Sequence, residues 1–263
     1  MKPKRPPSRI SRNTTAPRVV FLLDVDNTLL DNDRVAADLR RHLEREVGRA
    51  CERQYWAIFE RLRAELGYAD YLGALQRYRI EHAHDHNLFS ISSYLVNYPF
   101  ENRLYPNALD VVERCQEWGI AVILSDGDVV FQPRKIERSG LFEAVERNVM
   151  IYVHKEHELK EIERRFPADH YVLVDDKLRI LTAVKQAWGP GVTTVFPRQG
   201  HYANDLDILR AFPPPDVTLD RIGDLLGYDV DKLVSVGQER KGKVETKKAK
   251  GSAASARTAQ KEE

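Results

Sequence analysis

An apolar run of five residues, 19–23, leads directly into the polar segment DVDNT at 24–28. A short apolar run bounded by turn-forming residues is typical of a buried strand in a parallel sheet. Ligands bind at the carboxyl ends of such strands. Asp24 and Asp26 are two positions apart, so on a regular strand they share a face. The pattern predicts a chemical site at this strand end, and the alternative is a strand that ends in a polar Asx-turn.

Composition and charge narrow the range of possible functions. The chain has 263 residues and a net charge of +1, with 42% hydrophobic and 31% charged residues, which indicates a soluble globular protein. Residues 1–18 carry +6 and residues 239–263 carry +4, so the body between them carries −9. An acidic body argues against a main groove for nucleic acid, although the basic tails could bind it weakly.

The cysteine count and the apolar runs bear on the cellular location. Cys51 and Cys115 provide neither a disulfide framework nor a paired metal-ligand spacing. No apolar run approaches the ~18 residues of a membrane-spanning helix, and the basic N-terminal segment lacks the apolar region of a secretory signal. These features predict a cytoplasmic protein with reduced thiols and no membrane partner. They leave the oligomeric state open.

The rest of the chain alternates between short apolar runs and helical patterns. Four further runs predict buried strands, at 120–124, 149–153, 171–174 and 192–196. Between the first and second runs, apolar stripes of helical period occur instead. The alternation predicts an α/β fold: a doubly wound parallel five-stranded Rossmann-like sheet with a helical cap subdomain. The predicted domains are a disordered basic arm (1–17), an α/β core (18–32 and 104–237), the helical cap (33–103) and a disordered tail (238–263).

Polar side chains follow four of the predicted strands. They are Asp24, Asp26, Ser125, Lys155, Asp175 and Asp176. The carboxyl ends of parallel strands share one edge, and carboxylates gathered there would repel one another. Mg2+ relieves such repulsion and binds carboxylate, water and substrate phosphate oxygens. A lysine supplies a point charge for phosphate, and a serine with glycine-flanked N–H groups can bind its oxygens. The set predicts phosphoryl transfer with Mg2+.

This ordered set resembles the haloacid dehalogenase-like (HAD) superfamily, most of whose members are phosphatases, over about residues 19–205. The resemblance implies that Asp24 is a nucleophile that forms an aspartyl-phosphate, Asp26 is the general acid and base, and Lys155 steadies the nucleophile and the phosphoryl group. The implied phosphate-binding residues are Thr28, which also orients the loop, Ser125, Asp126 and Gly127. The implied Mg2+ ligands are Asp24, Asp175, Asp176 and, through its backbone carbonyl, Asp26.

The segment between Asp31 and Tyr105 resembles the helical cap that this family inserts after the first strand. Such a cap implies a small soluble phosphorylated substrate, because large substrates would be blocked. Within the segment, the tract EHAHDH contains three alternating histidines, His82, His84 and His86. They could bind a transition metal or form a polar loop between two cap helices.

Several alternatives stay open from the sequence. Lys135 could take the place of Lys155, although Lys135 lies in a helical pattern while Lys155 follows a strand. Asp126 and Asp128, beside the phosphate-binding serine, could support it or be solvated loop residues. Asn27 stands where many relatives have glycine, a tolerable change because asparagine accepts left-handed conformations. The alternative functions are phosphotransfer or mutase chemistry at the same site, metal-independent dehalogenation, whose enzymes usually lack the second aspartate, and non-catalytic binding through the basic tails.

Overall fold

The computed structural model of the protein describes residues 18–84 and 86–239. The basic arm expected at 1–17 lies outside the described residues, as does the expected tail from residue 240 onwards. The weak nucleic-acid binding expected of these tails therefore stays a prediction. Residues 238 and 239, expected to begin the tail, are helical, and within the described residues their helix covers 230–239.

One parallel sheet of six strands forms the centre of the fold. Its strands are β1 (Val19–Leu23), β2 (Ile120–Asp126), β3 (Val149–Tyr152), β4 (His170–Val174), β5 (Val192–Pro197) and β6 (Val217–Leu219). The spatial order is β3-β2-β1-β4-β5-β6, and every neighbouring pair is parallel. The direction of strand succession reverses beside β1, which is where doubly wound sheets bind ligands.

The sixth strand corrects the predicted five-stranded sheet. At the edge, Val217 pairs with Val195, and Leu219 pairs with Pro197. The strand has three residues, of which the middle one, Thr218, is exposed. None of the five apolar runs in the sequence covers this segment. Three residues are too few for a period-two pattern to distinguish a strand from a packing segment.

Helices flank the sheet and fill the segment between β1 and β2. The inserted helices are α1 (Asn32–His42), its π-helical continuation (Leu43–Val47), α2 (Arg49–Leu66), α3 (Tyr71–Glu81) and α4 (Leu88–Val96). The others are α5 (Ala108–Trp118), α6 (Phe131–Arg138), α7 (Leu141–Ala144), α8 (Leu159–Arg165), α9 (Leu178–Trp188), α10 (Leu206–Ala211) and α11 (230–239). Short 3-10 turns occur at Phe100–Arg103, Lys155–His157, Gly189–Gly191, Tyr202–Asn204 and Ile222–Gly227. Among the helices that the structure describes, none is both long and apolar enough to cross a membrane.

Local sequence signals set the bounds of the inserted helices. Asp31 and Asp70 cap α1 and α3, since their carboxylates accept the backbone N–H groups of Arg34 and Gly73. Gly67 ends α2 with a φ of 80°, a left-handed conformation that glycine adopts without steric cost. The helix therefore stops at this glycine.

A narrow neck, formed by residues 30–31 and 103–104, joins the inserted helices to the sheet. The Asp31 N–H donates to the Arg103 carbonyl at 2.8 Å. Beside this bond, Leu30 and Leu104 form an antiparallel bridge. The chain therefore leaves the α/β core and returns to it at adjacent points.

The two faces of the sheet have separate apolar cores. Phe21 and Leu23 belong to one buried cluster, whereas Val20 and Leu22 belong to the other. The division follows because successive side chains of a strand point to opposite faces. Burial on both faces is typical of parallel sheets covered by helices. The first cluster continues into α2 through Tyr55, so the inserted helices share a core with one face of the sheet.

We expect Gly119→Ala to destabilise the fold. Gly119 lies between α5 and β2, and an added Cβ would come within 2.2 Å of the backbone oxygen of Val19. Because that oxygen belongs to the central strand, the sheet must shift to accept the methyl group. The expected loss is about 1–3 kcal/mol in the free energy of unfolding, measured by urea denaturation.

Gly191→Ala is the matched control, because a Cβ there meets nothing within 4 Å. It should change the free energy of unfolding by less than about 0.5 kcal/mol. Equal stability of the two variants would contradict the tight packing of Gly119 against β1.

Candidate active site

The carboxyl ends of β1 to β4 bring their polar side chains together. Asp24 follows β1, Ser125 lies near the end of β2, Lys155 follows β3, and Asp175 and Asp176 follow β4. All five side chains belong to residues that are at most 2% exposed. Charged groups are rarely buried without compensation, so the contacts of these residues define the chemistry available.

Both carboxylate oxygens of Asp24 accept a hydrogen bond. Lys155 Nζ donates to Oδ1 at 2.5 Å, and Thr28 Oγ1 donates to Oδ2 at 3.2 Å. The Asp24 N–H donates to the Val174 carbonyl at 3.0 Å, which continues the pairing of β1 with β4. The carboxylate is thereby fixed in direction, as a nucleophile requires.

Lys155 is surrounded by carboxylates and one carbonyl group. Its Nζ lies 2.5 Å from Asp24 Oδ1 and 2.7 Å from Asp175 Oδ2, and it donates to the Leu124 carbonyl at 3.1 Å. Burial alone would lower the pKa of Lys155, but the carboxylates of Asp175, Asp24 and Asp126 raise that pKa well above its usual value. The lysine therefore remains positively charged.

Asp126 fixes the backbone that carries Lys155. Its Oδ1 accepts the Lys155 N–H at 2.9 Å, and Lys177 Nζ lies 3.8 Å from its Oδ2. Asp128 instead accepts the Phe131 N–H at 2.7 Å at the start of α6. The Asp126 carboxylate therefore supports the backbone of Lys155, and the Asp128 carboxylate supports the first turn of α6.

Ser125 and Gly127 lie where the sequence predicts, with one difference in role. Ser125 Oγ accepts a hydrogen bond at 2.9 Å from Nε2 of Gln132, which is buried. The Gly127 N–H donates to the Tyr152 carbonyl at 3.0 Å. It is therefore not free to bind a phosphate in this conformation, which corrects the role expected for Gly127. A Cβ at this glycine would come within 2.7 Å of Gln132, so the glycine lets the loop pack on that residue.

Asp24, Asp175 and Asp176 form a buried carboxylate cluster, with ligand oxygens within 4.8 Å of one another. Neither oxygen of Asp176 has a hydrogen-bond partner within the described residues. Burial, reinforced by the charge of Asp24, raises the pKa of Asp176 well above its usual value and the pKa of Asp175 to about 6. Buried carboxylates without partners are costly. Since hard oxygen donors suit Mg2+, the cluster fits the expected ion.

The histidine tract does not form a comparable cluster. Within residues 18–84 and 86–239, no group of three potential metal ligands includes His82, His84 or His86. His82 packs against the ring of Tyr78, with 4.4 Å between ring centres. These observations favour the polar-loop interpretation.

Asp26 has a different environment from Asp24. Its side chain is 24% exposed, and its Oδ1 accepts a hydrogen bond from Lys135 Nζ at 2.5 Å. Lys135 also donates to Asn32 Oδ1 at 3.0 Å. The Asp26 carboxylate lies outside the buried carboxylate cluster, and the expected contact of its backbone carbonyl with Mg2+ stays a prediction. In the sequence, Lys135 and Lys155 are alternatives for the one lysine beside the nucleophile. In the structure, Lys155 contacts Asp24 and Lys135 contacts Asp26.

A polar contact joins α2 to the loop after β5. Arg63 Nη2 donates to the Tyr202 hydroxyl at 2.6 Å. The adjacent His201 has its Nδ1 2.7 Å from Asp33 Oδ1, and Asn27 Nδ2 donates to the same oxygen at 3.1 Å. The contact therefore extends to the loop that carries the two catalytic candidates. Asn27 has a φ of 58°, the left-handed conformation that the sequence allows there.

A cleft of about 590 Å³ lies between the inserted helices and the sheet edge. It combines acidic groups of the site, aromatic groups of α2 and α3, and basic groups from both sides. Representative lining residues are Asp26, Asp176, Trp56, Tyr71, Arg63 and Arg179. The volume is within the usual range for small-molecule sites.

Sequence reasoning missed Gln132, which contacts Ser125, and missed the contact of Lys135 with Asp26. Gln132 and Lys135 lie three apart on α6, so they share a face of the helix. Both are buried beside Phe131 and Ile136. A polar pair on the inward face of an amphipathic helix is the signal that could have identified them.

Residues 19–187 match the family model described as haloacid dehalogenase-like hydrolase. The chain belongs to the haloacid dehalogenase-like hydrolases. This membership confirms the resemblance predicted from the strand-end residues, and the parallel α/β sheet agrees with it. No curated protein sequence matches the chain.

Solved structures resemble this haloacid dehalogenase-like hydrolase to different degrees. A haloacid dehalogenase-like hydrolase from Burkholderia xenovorans is 59% identical, covers 82% of this chain and 100% of its own, and has a TM-score of 0.79. The HAD-hydrolase YfnB from Bacillus subtilis, bound to magnesium, is 16% identical over 81% of this chain and 98% of its own, with a TM-score of 0.53. The L-2-haloacid dehalogenase from Xanthobacter autotrophicus, with chloropropionic acid covalently bound, is 18% identical over 80% and 97%, with a TM-score of 0.52. The last two show the shared fold alone.

We expect Mg2+ to stabilise the protein, and to do so more strongly at pH 8 than at pH 5. In the metal-free protein, the pKa of Asp175 is raised to about 6 and the pKa of Asp176 is raised as well. Both carboxyl groups therefore ionise at a higher pH in the folded protein than in the unfolded protein. The free energy of unfolding falls as the pH rises from about 4 through about 6. A bound cation needs ionised carboxylates and offsets their cost. Mg2+ at about 100 times its Kd should add about 2.7 kcal/mol, or roughly 5–10 °C in Tm, measured by thermal denaturation.

Asp176→Asn should abolish the rise in Tm with Mg2+ and raise the Tm of the metal-free protein, because an uncompensated buried charge is removed. Asp220→Asn is the matched control, since that side chain is 85% exposed, and it should retain the full rise. The same rise in both variants would exclude a cation site at Asp176.

Proposed function

We propose that the protein is a Mg2+-dependent phosphomonoester hydrolase that works through an aspartyl-phosphate on Asp24. The observation that carries the proposal is the buried carboxylate cluster, in which Asp176 has no hydrogen-bond partner among the described residues. Such a cluster needs a cation beside the nucleophilic carboxylate. A phosphate group would supply further oxygen ligands to such an ion, so substrate and cation would bind at the same place.

In the first step, a carboxylate oxygen of Asp24 attacks phosphorus in line with the leaving group. The bond from Asp24 to phosphorus forms while the bond from phosphorus to the leaving oxygen breaks. Asp26 donates a proton to that oxygen, so an alcohol leaves. Asp26 is suited to this part because it lines the cleft.

In the second step, water attacks phosphorus and gives a proton to Asp26. The bond between phosphorus and Asp24 breaks, and inorganic phosphate leaves. Asp26 thus loses one proton in the first step and regains one in the second. The covalent intermediate divides one difficult displacement into two easier ones.

Fixed positive charge and hydrogen-bond donors stabilise the transferring group. Lys155, held between two carboxylates, supplies a charge beside the nucleophile. As a donor, the Ser125 hydroxyl makes a long bond of 3.4 Å to the Asp126 carbonyl, so it can turn to donate to a phosphate oxygen. Mg2+, when bound, neutralises phosphoryl oxygens, and its ligands would be Asp24, Asp175, Asp176 and the backbone carbonyl of Asp26. Positioning and electrostatics of this kind provide most of the acceleration in phosphoryl transfer.

We propose that residues 33–103 act as a cap over a small phosphorylated substrate, with 18–32 and 104–237 as the catalytic core. The cleft lies beneath the inserted helices, and the contact from Arg63 to Tyr202 joins its two sides. A closed cleft limits the access of water to the acyl-phosphate. The structure of YfnB shows interdomain movement, and release of product from this cleft would need a motion of that kind.

Dehalogenation and phosphotransfer are the alternatives at the same nucleophile. The similarity to the Xanthobacter dehalogenase does not decide between them, because at 18% identity it concerns the fold. A halide leaves without protonation, so dehalogenation gives Asp26 no part, whereas an alkoxide leaving group needs a proton donor. The acidic cluster likewise favours a metal-dependent reaction. Phosphotransfer shares the first step and differs only in the acceptor.

The unchanged protein should release phosphate from p-nitrophenyl phosphate, and from some members of a metabolite panel, only when Mg2+ is present. Asp24→Asn should lower kcat/KM by about 10³-fold or more, because the nucleophile is lost. Asp220→Asn should keep full activity. Steady-state phosphate release measures these effects, and mass spectrometry of acid-quenched protein should locate a phosphoryl group on the peptide that contains Asp24.

Unchanged activity of Asp24→Asn would exclude the covalent mechanism. Halide release from 2-chloropropionate without Mg2+, with no phosphate release from any ester, would identify a dehalogenase. Transfer of phosphate to an added sugar phosphate would identify a mutase.

A further inference from the structure

The second buried lysine, Lys135, has no part in the two steps described above. Its side chain is 1% exposed on α6. Its Nζ donates to Asp26 Oδ1 at 2.5 Å and to Asn32 Oδ1 at 3.0 Å, and it lies 5.3 Å from the centre of the Phe131 ring. Burial of an ammonium group is costly. Here two acceptors that are 109 and 103 residues away in sequence compensate it.

The contact makes the two oxygens of Asp26 unequal. Oδ1 is fixed by Lys135, whereas no hydrogen bond from within the described part of the chain reaches Oδ2. Asp26 also lines the cleft. A proton carrier must present an oxygen to the leaving group at hydrogen-bond distance, so the anchoring of Oδ1 determines where Oδ2 points.

Asn32 connects the same anchor to the inserted helices. Its Oδ1 accepts from Lys135, and its Nδ2 donates to the Tyr71 hydroxyl at 3.4 Å. Tyr71 on α3 packs against Phe131 on α6, with 5.1 Å between ring centres. The anchor therefore lies where α1, α3 and α6 meet, and its geometry depends on all three helices.

We propose that Lys135 is a positioning residue for Asp26: together with Asn32 it holds Oδ1 so that Oδ2 meets the leaving oxygen. The inference rests on the proposed phosphomonoesterase function. Loss of Lys135 should impair protonation of the leaving group and spare the attack by Asp24, which has its own lysine, Lys155. Alkyl esters depend on that proton, because an alkoxide leaves poorly, whereas activated aryl esters depend on it little.

Lys135→Met tests this difference, since it removes the ammonium group and keeps an apolar chain. The measurement is kcat/KM with Mg2+ for a series of phosphomonoesters whose alcohols differ in acidity. We expect kcat/KM for alkyl esters to fall about 100-fold and kcat/KM for p-nitrophenyl phosphate to fall less than about threefold. A purely structural role would lower both by the same factor.

Lys185→Met is the matched control for the loss of a paired lysine. Lys185 lies 2.8 Å from Asp216 and donates to the carbonyl of Val192, at the opposite end of the sheet from the site. It should lower stability and leave the ratio of kcat/KM for aryl and alkyl esters unchanged. Asn32→Ala provides a second variant if Lys135→Met does not fold, and it should lower kcat/KM for alkyl esters about tenfold.

A double variant separates positioning from other effects. Lys135→Met in an Asp26→Asn background should be no slower than Asp26→Asn alone, because both changes remove the same function. Equal losses for aryl and alkyl esters in Lys135→Met and in Asn32→Ala would overturn the inference and leave the phosphatase proposal intact. No phosphate release from any ester by the unchanged protein would overturn both.

Discussion

One positive charge held between two buried carboxylates, Lys155 between Asp24 and Asp175, is the contact on which the site depends. The three groups come from the ends of three different strands. None of them could be buried alone, and removal of one partner from such a pair typically costs 3–5 kcal/mol, as an order of magnitude. Because the order of strands in the sheet brings these three groups together, the fold itself allows their charges to compensate one another. Fold and site are stabilised by the same contact.

The second pair, Asp26 with Lys135, shows how one loop can give two similar side chains different environments. Asp24 is enclosed and bonded at both oxygens, whereas Asp26 is partly exposed and bonded at one. The first arrangement suits a group that must not move, and the second suits a group that exchanges protons. Lys155 contacts Asp24, whereas Lys135 contacts Asp26. The two carboxylates therefore differ more in their partners than in their positions in the sequence.

The sequence was sufficient for those features that leave a local pattern. Buried strands of a parallel sheet appear as apolar runs, and polar residues that end such runs must meet at one edge, which is why Asp24, Lys155 and Asp175 were predictable. The sixth strand was not predictable, because three residues are too few to show the alternating pattern of a strand. The partners of Asp26 were not predictable either, since Lys135 is 109 residues away and no spacing rule connects them. Gly127 was expected to bind phosphate, and in the structure its N–H donates to the Tyr152 carbonyl of the neighbouring strand.

The neck of residues 30–31 and 103–104 has a consequence for how proteins of this kind diversify. Because the chain departs and returns at adjacent points, a longer or shorter insertion changes the entropy of loop closure only slightly and does not displace the sheet. Asn32 and Asp33, just beyond the neck, donate their backbone N–H groups to Asn27 Oδ1, and their side chains contact Lys135 and His201. The parts of the inserted helices away from these contacts, and away from Arg63 and Tyr71, can change while the geometry of the site is kept. In the proposed phosphatase, selectivity for the leaving group and transfer of phosphate would therefore belong to separate parts of one chain.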